Sequence, residues 1–158
     1  MKKILYTLLA VLGVALIPAC GGSGDDSPAP AGPIVGEWRL ASWNADAEAP
    51  ATEFEVYVSF KADATFDLYQ KIETVRFQHL AGSYRLFGST LTGQYADGQE
   101  FGGAPYEVSF DETGNTMTFI STSSVGEVQV YVRESIPASV IGTKAEATEE
   151  PVSDIRVL

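Results

Sequence analysis

Apolar side chains recur at every second position from residue 34 to residue 136, which is the period of a β-strand and not of a helix. In residues 54–60, phenylalanine and valine alternate with Glu55, Tyr57 and Ser59. The other alternating runs are residues 38–40, 66–72, 77–86, 90–95, 106–110, 116–120 and 128–133. The pattern predicts eight strands and no helix of note.

Short turn sequences separate most of these strands. Lys-Ala-Asp-Ala at 61–64, Phe-Gly-Ser at 87–89 and Asp-Glu-Thr-Gly-Asn at 111–115 are short enough to make neighbouring strands antiparallel. A longer loop opens at 97–98 with Asp-Gly. Eight such strands can close into an up-and-down barrel, which removes exposed edges, and a two-sheet sandwich is the alternative. Gly82, inside the fourth strand, indicates a bend or bulge of the kind that closure needs.

The side chains expected to face the barrel interior are bulky. They could fill the barrel completely. A cavity would need smaller residues at one level of the barrel. An eight-stranded barrel is wide enough either to be filled by side chains or to hold one small ligand. The predicted inward set is Leu40, Val56, Val58, Phe60, Phe66, Leu68, Tyr84, Leu86, Leu91, Tyr95, Tyr106, Val108, Phe110, Met117, Phe119 and Val130.

The start of the chain has the parts of a secretory signal. Lys2 and Lys3 precede an apolar stretch of 14 residues, 4–17, which is too short to span a bilayer comfortably. The run Leu-Ile-Pro-Ala-Cys at 16–20 resembles the bacterial lipobox, which implies cleavage before Cys20 and attachment of lipid to its thiol. The alternative is an exported protein with a chance cysteine.

The chain therefore divides into a signal peptide (1–19), a lipidated cysteine with a flexible linker (20–33), a barrel (34–137) and a tail (138–158). The linker has no large apolar side chain and is predicted to be disordered. Its pair of aspartates at 25–26 resembles the acidic surface-export signals of some diderm bacteria, although a solvated spacer has the same composition. The expected location is the outer membrane, with the protein lipid-anchored and facing either the cell surface or the periplasm.

The tail combines a polar, acidic stretch at 144–150 with three apolar residues near its end. The acidic stretch is predicted to be disordered. Ile155, Val157 and Leu158 are expected to dock on the barrel or on another chain.

The charge balance is acidic. The whole chain has a formal net charge of −11, and removing the two lysines of the signal leaves 8 basic against 21 acidic residues. This excess argues against nucleic acid as a partner and against electrostatic adhesion to anionic lipid. The expected contact with the membrane is through acyl chains on Cys20, and no protein partner is indicated.

The opening of the first strand carries a family resemblance. Gly36-Glu37-Trp38 is similar to the Gly-x-Trp signature of lipocalins. Residues 34–40, 58–69, 91–98 and 130–137 together resemble small lipocalin-like lipoproteins of bacteria. The resemblance implies that Trp38 packs across the barrel bottom against Arg133, with the guanidinium over the indole ring. The alternative is that Trp38 is simply a core residue and Arg133 a solvated strand residue.

The resemblance also implies a small apolar or amphipathic ligand, and aromatic residues suggest where it would bind. Tyrosine combines an apolar body with a polar tip, which suits the opening of a wet cavity. The candidate binding residues are Tyr84, Tyr95 and Tyr106, with Phe101 in the glycine-rich loop 97–104. The alternative for the tyrosines is cross-strand pairing that only stabilises the sheet.

No catalytic constellation is visible in the sequence. The one histidine, His79, has no second histidine or free cysteine with which to bind a metal or activate a nucleophile. The acids that could offer oxygen ligands match no calcium loop in their spacing; they are Asp63, Asp67, Asp97 and Glu100. We therefore expect no enzyme activity, metal or cofactor. The alternative to ligand binding is a non-catalytic accessory module of a cell-surface complex, with a solidly packed barrel.

Overall fold

A computed structural model describes residues 32–44, 54–72, 74–102, 104–123, 126–142 and 155–158. The predicted signal peptide, Cys20, most of the linker and the acidic stretch of the tail lie outside the described residues. The described elements are β1 (Gly36–Asn44), β2 (Glu55–Phe60), β3 (Thr65–Lys71), β4 (Gln78–Phe87), β5 (Thr90–Tyr95), β6 (Tyr106–Phe110), β7 (Thr116–Ser121), β8 (Val128–Arg133) and the short helix α1 (Ala138–Ile141).

The strands form a closed barrel. Each strand pairs antiparallel with the next one in the chain, and β8 returns to pair with β1. The predicted up-and-down barrel is therefore confirmed, and the sandwich alternative is excluded. The turns β2–β3, β4–β5 and β6–β7 lie together with the start of β1 at what we name the lower end. The connections β3–β4, β5–β6 and β7–β8 lie at the upper end.

Aromatic and aliphatic side chains pack the barrel interior as the strand alternation predicts. In β3, buried and half-buried positions alternate along the whole strand. Phe60 contacts Tyr84 edge to face with ring centroids 4.9 Å apart, and it lies 6.3 Å from Phe119 in the opposite wall. Of the predicted inward set, Leu86 and Phe110 are only half-buried but still pack against this core.

The prediction for Val130 is wrong. β8 buries Gln129 and Tyr131 completely, and Val130 lies half-buried on the other face. The sequence favoured the valines because they are the more apolar alternate set of this strand. Pairing with β1 decides otherwise, since Leu40 lies directly opposite Tyr131 and paired residues share a face.

A β-bulge between Leu40 and Ser42 changes which side of β1 faces inward. Beyond the bulge, Trp43 lies opposite the buried Gln129 and packs edge to face against Phe54 with centroids 6.2 Å apart. The Trp43 indole nitrogen is buried and has no hydrogen-bond partner among the described residues. The bulge thus adds to the upper end an aromatic side chain whose N–H has no partner in the described part of the chain.

A second, smaller apolar cluster lies outside the barrel wall. Ile136 and Val140, on either side of the start of α1, pack against Tyr57 on β2. The Glu37 carboxylate accepts a hydrogen bond of 2.9 Å from the backbone N–H of Ile136. This contact holds the chain that follows β8 against the outer surface. In the part of the chain that the structure describes, no helix has the length and apolar character needed to cross a membrane.

Candidate ligand-binding site

The lower end is closed by Trp38 and Arg133. Trp38 is fully buried, and its indole nitrogen donates a hydrogen bond of 2.8 Å to the carbonyl of Ile34. The Arg133 guanidinium lies 4.2 Å from the centroid of the Trp38 ring, and it donates to the carbonyls of Val35 and Pro33 at 3.1 and 2.9 Å. This arrangement ties the chain before β1 across the bottom of the barrel.

Gly36 makes room for this closure. Its φ is +139°, and a Cβ atom here would lie 2.2 Å from a guanidinium nitrogen of Arg133. Glycine is the residue that tolerates both conditions. The glycine and tryptophan of the Gly-x-Trp signature therefore serve one structural purpose, which is to seat the arginine against the indole.

The upper end is occupied by residues 155–158 of the same chain, which we name the plug. Val157 and Leu158 are each 1% exposed and belong to the barrel core. The plug's main chain is bound by side chains of three strands. Gln70 on β3 donates to the Ile155 carbonyl at 2.5 Å and accepts from the Val157 N–H at 3.3 Å. Gln129 on β8 donates to the Val157 carbonyl at 2.8 Å, and the Tyr95 hydroxyl donates to the Leu158 carbonyl at 2.6 Å.

The plug satisfies polar groups that would otherwise be costly to bury. Gln70 and Gln129 are 1% and 0% exposed, and a buried amide without partners loses its bonds to water at a cost of about 1–3 kcal/mol. The Gln129 side-chain oxygen accepts from the Tyr131 hydroxyl at 2.7 Å, and Gln70 donates to the Gln78 side chain at 3.1 Å. The upper interior is thus a polar layer above an apolar core.

One charged pair fixes the plug from outside. The Arg156 guanidinium donates to both carboxylate oxygens of Asp97, at 2.5 and 3.1 Å, and lies 4.6 Å from the centroid of the Tyr95 ring. The hydrogen bond from Arg156, together with one from the backbone N–H of Gln99, lowers the pKa of Asp97 to about 2. The pair is therefore charged on both sides at neutral pH.

Three of the four predicted binding residues meet at the upper end. The Phe101 ring stands over Gly93, where a Cβ atom would lie 2.2 Å from the ring. It contacts Tyr95 and Phe66 edge to face at 5.6 and 5.0 Å. Tyr106 stands beside Phe119, with ring centroids 5.8 Å apart. Phe101 and Tyr106 are each 2% exposed.

Tyr84 hydrogen-bonds at the other end of the barrel, although it lines the same groove on the wall as Phe101. Its hydroxyl donates a hydrogen bond of 2.7 Å to the carbonyl of Lys61, in the β2–β3 turn at the lower end. β4 runs downward through the wall, so Tyr84 faces the interior at a lower level than Tyr95. Its position makes it part of the lower core.

Burial keeps the interior tyrosines neutral. Desolvation raises the pKa of Tyr84 and of Tyr106 to about 12, and it also raises the pKa values of Tyr95 and Tyr131. At neutral pH these hydroxyls are hydrogen-bond donors without charge. Such a lining suits an uncharged or amphipathic occupant.

Sequence reasoning missed Gln70 and Gln129, which contact the plug most directly. A signal for Gln70 is present, because it continues the inward alternation of Phe66 and Leu68 as a polar residue at a core position. The sequence predicts that Gln129 is exposed, because it stands beside Val130, which is expected to face inward. For the plug, the sequence predicts docking on the barrel or on another chain, and the structure places its last two residues in the barrel core.

Two other features lie on the barrel wall. A groove of about 540 Å³ is lined by outward-facing residues of β4 and β5, including Arg85 and Thr92, and reaches Glu100 in the following loop. Two of the predicted binding residues, Tyr84 and Phe101, also line this groove. On the outer wall, Asp67 accepts hydrogen bonds from Lys61 and His79 at 2.6 and 2.8 Å. No group of three potential metal ligands is gathered among the residues that the structure describes.

The eight antiparallel strands form a closed up-and-down β-barrel. Arg133 over Trp38 seals one end, and residues 155–158 occupy the other. The family model for the lipocalin-like domain matches residues 34–119, which is more than half of the chain, and the protein belongs to that family. No curated protein gives a match to the sequence.

Proposed function

We propose that this protein is a lipid-anchored lipoprotein of the outer membrane that binds a small apolar or amphipathic ligand in the upper half of its barrel, without transforming it. One observation carries the proposal. The space above the core is filled by a segment that lies more than twenty residues beyond the last strand, and not by side chains of the barrel wall. A segment of this kind can leave without breaking a strand pairing.

The lining of that space suits an amphipathic molecule. Phe66, Leu68 and Phe101 supply apolar surface below, whereas Gln70 and Gln129 supply donors and acceptors at the rim. Ligand sites commonly combine an apolar lining with a few placed polar groups. An eight-stranded barrel has room for one small ligand.

Filling of the upper end by the plug favours a second candidate function. With Val157 and Leu158 in place, the core is continuous from the lower to the upper end. A permanently filled barrel would serve as an accessory or interaction module of a cell-surface complex. The two candidate functions differ in whether a ligand can displace the plug.

A titration with a fluorescent fatty acid distinguishes these functions. We expect the full chain with Leu158→Asp to bind the probe at least tenfold more tightly than the unchanged protein, because a carboxylate is costly to bury and the plug will leave. Ile141→Asp is the matched control, since Ile141 is half-exposed on the short helix and away from the interior. Equal affinities of the two variants and the unchanged protein would favour the packed module.

The anchor is tested separately through Cys20. We expect Cys20→Ser to move the protein from the membrane fraction to the aqueous phase, because two or three acyl chains anchor stably at about 0.8 kcal/mol per buried methylene and the variant has none. Cell fractionation and detergent phase separation measure the change. Retention of the variant in the membrane fraction would refute the anchor and leave the barrel's ligand binding unaffected.

A further inference from the structure

The contacts that hold the plug are made to its main chain. Gln70, Gln129 and Tyr95 bind three carbonyl groups and one N–H of residues 155, 157 and 158. None of these four hydrogen bonds uses a side chain of the plug. They would form with any extended polypeptide in the same position.

Gln70 binds the plug as a neighbouring strand would. Its amide donates to one carbonyl and accepts from an N–H two residues further on, which is the spacing at which an extended chain presents these groups to one side. The amide is itself buried in the wall of β3. It therefore offers a single, fixed site for a peptide unit inside the barrel.

Side-chain contacts add a preference to this main-chain binding. Val157 and Leu158 are buried among core residues. Arg156 points outward to the Asp97 carboxylate and across the Tyr95 ring. The site thus selects a basic residue followed by two aliphatic residues, with the base outside and the aliphatic pair inside.

We infer that the upper end of the barrel is a peptide-binding site that takes an extended segment with a basic residue followed by two aliphatic residues, and that residues 155–158 are its resident occupant in cis. The inference rests on the proposed function and narrows the ligand class of that same site. A fatty acid has no amide groups at the required spacing. Its acyl chain would not replace the hydrogen bonds that the buried amides of Gln70 and Gln129 make to the plug.

The test uses the full chain with Val157→Asp and Leu158→Asp, which expels the plug, and a labelled hexapeptide Ser-Asp-Ile-Arg-Val-Leu with the sequence of residues 153–158. We expect fluorescence anisotropy to show the peptide binding at least tenfold more tightly to this variant than to the unchanged protein. Methylation of the peptide's valine nitrogen removes one of the two hydrogen bonds to Gln70, the one that the valine N–H donates, and keeps the valine and leucine side chains. We expect it to weaken binding at least tenfold.

A matched change in the protein completes the test. In the plug-expelled variant, Gln70→Leu is expected to weaken peptide binding at least tenfold while leaving the affinity for a fatty-acid probe equal or higher. Circular dichroism checks that the barrel remains folded. If the double variant does not fold, Arg156→Glu in the full chain replaces it, because reversing the charge beside Asp97 weakens the plug at the rim.

The outcomes separate this inference from the proposed function. Binding of the fatty-acid probe without binding of the peptide would overturn the peptide site and support the broader ligand-binding proposal. Failure of both ligands to bind a folded, plug-expelled barrel would overturn both. Equal binding of the methylated and unmethylated peptides would overturn recognition of the main chain by Gln70.

Discussion

Replacing Gly82 with Ala is expected to prevent the barrel from closing normally, although the change adds one methyl group. The new Cβ atom would lie 2.1 Å from the carbonyl oxygen of Gln94 and 2.8 Å from both the Cα of Tyr95 and the ring of Phe66. Two of these three neighbours are backbone atoms, so no side-chain rotation relieves the clash. We expect a loss of about 3 kcal/mol or more, at the upper end of what overpacking costs. Urea denaturation, followed by circular dichroism, measures the loss.

Gly32→Ala is the matched control for this experiment. Gly32 has no neighbour within 4 Å of an added Cβ, and its backbone does not adopt the left-handed region. The control should unfold at the same urea concentration as the unchanged protein. An unchanged midpoint for Gly82→Ala would mean that β4 and β5 can separate at this position at little cost, contrary to the close packing described above.

Replacing Trp38 with Ala is expected to cost about 3–5 kcal/mol, the range for removing a large aromatic side chain from a core. Trp38 is fully buried, and its loss would empty the lower end of the barrel. The change would also remove the hydrogen bond to Ile34 and the ring beneath the Arg133 guanidinium. Because small domains are stable by about 5–15 kcal/mol, this loss is expected to remove a large fraction of the free energy of unfolding.

The second tryptophan, Trp43, provides a comparison for the loss of stability expected of Trp38→Ala. Trp43 is only half-buried at the upper end, so Trp43→Ala is expected to cost less than Trp38→Ala in the same urea measurement. Trp38→Phe should recover part of the stability, since the ring would fill much of the space but could not donate to Ile34. Equal costs for the two tryptophans would argue against a special structural role for the lower end.

The sequence predicts the strands well because period-two alternation is a local property. β3, for instance, alternates from end to end, and its predicted range of 66–72 overlaps Thr65–Lys71 closely. Closure could also be predicted, because the turns are short and the number of strands is suitable for a barrel. The inward face of β8 could not be predicted, because its valines are more apolar than Gln129 and Tyr131. Only the pairing with β1 shows that Gln129 and Tyr131 face inward.

The candidate site was harder to predict than the fold. Alternation gives the face on which a side chain lies but not its height along the barrel axis, because tilted strands are staggered against one another. The sequence therefore does not distinguish Tyr84 from Tyr95. In the structure, the Tyr84 hydroxyl donates to the Lys61 carbonyl at the lower end, and the Tyr95 hydroxyl donates to the Leu158 carbonyl at the upper end. The plug contacts strands that lie more than twenty residues earlier in the chain. No local sequence pattern encodes such contacts.

Because the plug belongs to the same chain as the barrel, it would compete with a free ligand at the proposed site as an intramolecular occupant, at an effective concentration that does not depend on the amount of protein. Any free ligand would bind only the fraction of molecules whose barrel is open. A barrel open in about one molecule in a hundred would make a ligand of about 1 μM intrinsic affinity bind with an apparent constant of about 100 μM. Such a barrel would fill gradually as the ligand concentration passes this raised apparent constant, so scarce or weak compounds would leave it closed.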